Sequence, residues 1–119
     1  MSYRIHYQAR EGVLSAVVLG KSKYAARIAR DLGAQARERA ARDLLIDLRR
    51  LDDRIGSLGT LLAGRDGPAR AANRRIAVLD LVENDRYYVF AEMLARSLGC
   101  SLRCFADPAA AIRWLSRKA

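Results

Sequence analysis

The distribution of apolar and charged residues along this 119-residue chain predicts an α/β domain: a mixed, mostly parallel sheet of about five strands with about four helices. Three observations predict it. VLSAVVL, DLLIDL and RIAVLDL are apolar runs of strand length, each bounded by charge or glycine. Stretches with helical spacing stand between and after them. Glu11 and Gly12 turn the first strand candidate into the second, a short hairpin connection, while the later strands are far enough apart to require right-handed parallel crossovers. One domain spanning residues 1–119 accommodates all of this.

Each element has its own local reason. YRIHYQ, residues 3–8, alternates Tyr3, Ile5 and Tyr7 with Arg4, His6 and Gln8, as a half-exposed strand does. VLSAVVL, residues 13–19, is apolar on both faces and reads as an interior strand. Ser22 can cap a helix in which Tyr24, Ile28, Leu32, Ala36 and Ala40 form the inward stripe, with Lys23, Arg27, Arg30, Arg37 and Arg39 outside it. DLLIDL, residues 43–48, is a buried strand, and a short helix is expected through SLGTLLA. GRDGPARAANRR, residues 64–75, holds two glycines, a proline and four arginines, and reads as a loop with at most one helical turn. After RIAVLDL, Asn84 or Asp85 can cap a helix carrying Tyr88, Phe90, Met93, Leu94 and Leu98 that stops at Gly99. CSLRCF is the last strand. Asp107 and Pro108 form an N-cap and N1 pair for a closing helix with Ala111, Trp114 and Leu115 inward.

The net charge of +9 invites a nucleic-acid reading. The excess is arginine, 19 against 3 lysines, spread over the whole chain beside abundant alanine, a bias that a G+C-rich genome produces by itself. A basic nucleic-acid-binding accessory protein is therefore the alternative, with weak, sequence-independent binding expected. No apolar run reaches the roughly 18 residues of a membrane span and the N-terminus is not a signal peptide, so a cytoplasmic protein without membrane contact is expected.

Catalytic chemistry finds no footing in the residue pattern. Cys100 and Cys104 are too far apart along a strand for a disulfide and are expected as free core thiols. With His6 as the single histidine, and on a polar strand face, no zinc set can be assembled. Asp52 and Asp53 lack a partner for acid–base work and read as solvated loop residues. Neither a P-loop nor a dinucleotide-binding fingerprint is present. No enzyme activity, cofactor or metal is expected.

LDDRIGSLGTLLAG, residues 51–64, is the candidate site. Ser57 reads as a helix cap or as a phosphorylation or anion site, and Gly56 and Gly59 permit a tight turn. This segment and the one beginning at Asn84 and Tyr87 both follow strand carboxyl ends, where open sheets form crevices. Asp53, Arg54, Gly56, Ser57, Asn84 and Tyr87 are thus the expected ligand or partner surface, with Arg65, Arg74 and Arg75 expected nearby.

The hairpin, DLLIDLRRLDD, RIAVLDL and above all FAEMLARSLGCSLRCFADPAAAIRWL resemble the STAS domains of anti-sigma-factor antagonists and their small stand-alone bacterial relatives. The resemblance covers nearly the whole chain in element order, and its most specific part is the ending, a strand closing in Phe-x-Asp before a helix with Ala-x-x-Trp-Leu. It implies a non-enzymatic regulatory module that binds a protein partner or a small apolar or anionic ligand. In that family a serine in an Asp-Ser-x-Gly segment is phosphorylated; the corresponding segment here, DDRIGSLG, has no Asp-Ser pair. A homodimer is compatible with the pattern if one tyrosine and neighbouring leucines stay exposed.

Overall fold

In a computed structural model, which describes residues 3–52 and 61–117 with the exception of the Ser22 side chain, the chain begins as a long hairpin. Strand β1 (Tyr3–Arg10) pairs antiparallel with β2 (Val13–Lys21), from Tyr3 opposite Gly20 to Arg10 opposite Val13. The turn places Glu11 at φ 52° and Gly12 at φ 82°, a left-handed pair that glycine makes inexpensive at its second position.

Helix α1 (Ala25–Glu38) follows a short 3₁₀ turn, Ser22–Tyr24. The expected Ser22 cap is displaced: Tyr24 occupies the N-cap position and caps with no side-chain hydrogen bond. Ile28, Leu32 and Ala36 point into the core as their spacing predicts. Ala40 does not, because the helix has already ended. It adopts φ 49°, and Ala41 N–H reaches back to the Ala36 carbonyl at 2.9 Å, the hydrogen bond of a Schellman terminus.

Strands β3 (Asp43–Asp47), β5 (Arg75–Leu79) and β6 (Ser101–Phe105) are parallel to β2, giving the order β1-β2-β3-β5-β6. A two-residue strand, β4 (Leu51–Asp52), returns to β2 beyond β3, one residue out of step with it. The sheet thus has six strands where about five were expected, the sixth a short continuation. Of the four helices expected, α1, α2 (Val89–Ser97) and α3 (Pro108–Ser116) are α-helices among the described residues. The helix expected through SLGTLLA falls mainly on residues outside the described set; Leu61 and Leu62 are helical.

The second face of the sheet carries a smaller core, in which Ala77, Leu79, Ala111 and Leu115 are buried against Phe105 and Trp114. Asp107 caps α3, accepting from the Ala109 N–H at 3.2 Å, with Pro108 behind it, as the Asp-Pro pair predicts. The loop 64–75 is packed rather than loose: Gly67, Pro68, Ala69 and Arg74 are buried. It lies so close to α1 that a Cβ on Gly33 would meet the Asp66 carbonyl oxygen. Among the described residues no helix is long and apolar enough to cross a membrane.

Candidate functional site

At the carboxyl edge of the parallel strands, β3 leaves the sheet through a turn in which Asp47 accepts hydrogen bonds from the Arg49 backbone N–H at 3.0 Å and from its guanidinium at 3.0 and 2.8 Å. Burial pushes the Asp47 carboxyl up, but the Arg49 hydrogen bonds outweigh it and hold the group below the usual carboxylate range. Leu48 and Leu51 anchor this turn in the core, and Leu48 N–H donates to the Leu79 carbonyl at 2.8 Å.

The neighbouring strand ends in Asp80, which is 1% exposed. Its carboxylate accepts from Leu81 N–H at 2.8 Å, from Asn84 Nδ2 at 3.1 Å and from the Tyr88 hydroxyl at 2.5 Å. A buried carboxylate needs such donors to replace its lost hydration. The network winds residues 82–88 into a 3₁₀ helix (Val82–Tyr88) before α2 begins. This corrects the expected cap: α2 starts with Tyr88 as its N-cap residue, and neither Asn84 nor Asp85 occupies that position.

Tyr88, Ala91 and Ala95 take the buried positions, so Phe90 and Met93 of the same helix face outward. Val89, Phe90 and Met93 on α2 are exposed, as are Leu81 and Val82 after β5. Among the described residues only one other large apolar side chain, Ile112, is exposed, so the carboxyl edge holds five of the six. Tyr87 is half-buried beside them, with the Arg86 guanidinium 5.1 Å from its ring centroid and donating to its hydroxyl at 3.3 Å. The adjacent tyrosines divide as their geometry requires, Tyr88 to the core and Tyr87 to the rim.

Of the six residues expected to form the surface, Asp53, Arg54, Gly56 and Ser57 lie outside the described residues. Tyr87 lies in the 3₁₀ helix that follows β5. Asn84 is a correction: it is buried and holds Asp80, so its side chain is part of the support beneath the surface. Arg74 and Arg75 are further corrections, since Arg74 immediately precedes β5 and Arg75 opens it, which puts both at its amino end, across the sheet from the carboxyl edge. Arg74, 7% exposed, donates to the carbonyls of Ala41 at 2.7 Å, Pro68 at 2.8 Å and Ala36 at 3.5 Å. Arg75 pairs with Asp43 through two 3.0 Å hydrogen bonds and ties down the Trp114, Leu115 and Arg117 carbonyls at the end of α3. Both satisfy helix and loop termini that would otherwise lack donors.

Asp52, Arg65 and His6 are exposed, His6 on edge strand β1. Cys100 and Cys104 are free thiols, and burial pushes the Cys100 thiol up to about 11. Among the described residues no three His, Cys, Asp or Glu side chains group as a metal site. The residues missed in the sequence are Asp80 and Tyr88. Their signal is the carboxylate closing an apolar run, with amide and hydroxyl donors four and eight positions later.

No family model and no curated protein matches this chain. Solved structures do. An anti-sigma factor antagonist from Mycobacterium paratuberculosis superposes with a TM-score of 0.65 at 15% identity, over 98% of this chain and 96% of that one. An uncharacterized Shewanella loihica protein with a SpoIIAA-like fold gives 0.55 at 16% identity, over 96% and 93%. The chain has the STAS-like α/β fold of these proteins.

Proposed function

We propose that this chain is a cytoplasmic, non-enzymatic regulatory module that binds a partner protein at the carboxyl edge of its sheet. The observation that carries the proposal is the gathering of exposed Leu81, Val82, Val89, Phe90 and Met93 beside Tyr87. Exposed apolar groups concentrated in one region mark interaction sites, and aromatic and methionine side chains are the types enriched at such interfaces. The fold is that of a protein described as an anti-sigma factor antagonist, so an anti-sigma-factor-like protein is the partner class to seek. Asp53, Arg54, Gly56 and Ser57 would extend the surface from the neighbouring strand end, with Ser57 either a helix cap or the point where a phosphate switches binding.

Quantitative co-purification with wild-type protein, Phe90→Asp, Arg54→Glu and Tyr87→Ala tests the surface. A specific partner depleted about tenfold by Phe90→Asp is expected, the size of one lost interface anchor. If every partner remains bound to all three variants, the surface is wrong. Ser57→Asp and Ser57→Ala divide the two serine roles: loss with Asp alone indicates the switch, and indifference to both leaves a cap. Hydrolysis of ester or nucleotide substrates by the purified protein, abolished by Asp53→Ala, would refute the non-enzymatic assignment.

A further inference from the structure

The second face of the sheet is unevenly roofed. Helix α3 packs over β5, β6 and β3, while no described helix is packed in the same way over that face of β2 and β1. At the amino edge this leaves an open groove of about 1060 Å³, at the upper end of the roughly 300–1,000 Å³ that small-molecule sites occupy. Val13 and Leu45 line it from the sheet, and Leu115 and the exposed Ile112 from α3.

The polar lining is unbalanced in sign. Arg74 and Arg75 face the groove but are committed to carbonyls and to Asp43. Arg10, Arg42 and Arg117 also line it, and among the described residues none of their guanidinium groups has a carboxylate within ion-pair distance. Among the described residues Glu11 is the one lining acid not already paired. Three uncommitted cations beside an apolar wall form a field that attracts and orients an anion. Ser15, Ser101 and Asn73 add hydrogen-bonding groups, and among the described residues no aromatic side chain lines the groove. That absence disfavours nucleobases, which bind by stacking on aromatic rings.

We propose that this groove binds a small amphipathic anion, an aliphatic chain ending in a carboxylate or a phosphate monoester. The chain lies along Val13, Leu45, Leu115 and Ile112, and the head meets Arg10, Arg42 and Arg117. The site is at the opposite edge from the partner surface and stands independently of it.

Titration of isotope-labelled protein with decanoate and with decyl phosphate, below their micelle concentrations, tests this by amide chemical shifts. Both probes are expected to move the amides of Gly12, Ser15, Ser101 and Ile112, with decanol and inorganic phosphate at least tenfold weaker. Arg10→Glu combined with Arg42→Glu, both at exposed positions, is expected to weaken decanoate at least tenfold, and Ile112→Asn to weaken it without a change of charge. No shift with either probe overturns the proposal, as do equal affinity for decanol, shifts centred on Phe90 and Met93, or full retention of binding by the variants. Binding of phosphatidylglycerol vesicles without binding of the monomeric amphiphiles would assign the groove to a membrane surface, and shifts with a single-stranded oligonucleotide alone would assign it to nucleic acid; either result overturns the proposal.

Discussion

The two edges of the sheet use their polar residues in opposite ways. At the amino edge, Arg74 and Arg75 are turned inward onto backbone carbonyls at the ends of α1 and α3, so charge there holds elements together. At the carboxyl edge, the buried charge is Asp80, held by an N–H, an amide and a phenol, and apolar side chains face outward. The difference teaches that the conspicuous arginines are not automatically the site. A guanidinium has enough donors to close several helix and loop ends at once, and this chain uses two of its arginines for that purpose.

Removing the amino-edge device should have the largest effect. Arg74→Met leaves buried carbonyls without their donor and should cost roughly 3 kcal/mol, read as a lower urea midpoint with an unchanged slope. Asp80→Ala removes the buried acceptor shared by the Leu81 N–H, the Asn84 amide and the Tyr88 hydroxyl and should cost roughly 2 kcal/mol. If Asp80→Ala proves neutral, the support assigned to the carboxyl edge is wrong. Phe90→Ser, by contrast, should change stability by less than about 0.5 kcal/mol while weakening partner binding. A large stability loss in that variant would make Phe90 a core residue and break the contrast between the edges.

Two helix ends offer a finer comparison. Both α1 and α2 close with the same hydrogen bond, Ala41 to Ala36 and Cys100 to Ala95, but the left-handed residue is Ala40 in one and Gly99 in the other. Ala40→Gly should therefore stabilise the protein by about 0.5 kcal/mol, and Gly99→Ala should destabilise it by at least as much, both measurable by thermal melts. A further effect appears only at alkaline pH. The Cys100 thiol is raised by burial from 9.0 to about 11, so the folded state holds its proton more tightly than the unfolded chain. That contribution is present below about pH 9 and is lost as pH rises through 11. Cys100→Ala should flatten the decline in stability over that interval, and an unchanged slope would rule out this thiol as its source.

Much of the architecture was legible because it rests on local rules. The hairpin at Glu11-Gly12, the strand RIAVL, the stop at Gly99 and the Asp107-Pro108 cap each follow from a few adjacent residues and their backbone preferences. Chain direction also placed the segments after β3 and β5 at one edge, and the same logic, applied to residues where a strand begins, assigns Arg74 and Arg75 to the other. What sequence spacing could not decide is which side of a helix turns inward when two sides are apolar. Tyr88, Ala91 and Ala95 are buried while Phe90 and Met93 face out, because the buried Asp80 draws the Tyr88 hydroxyl to itself and sets the rotation of everything after it. Periodicity along the chain registers the apolar residues, but the choice of face depends on a hydrogen bond between a strand end and a residue eight positions later, and that bond exists only once the elements have packed.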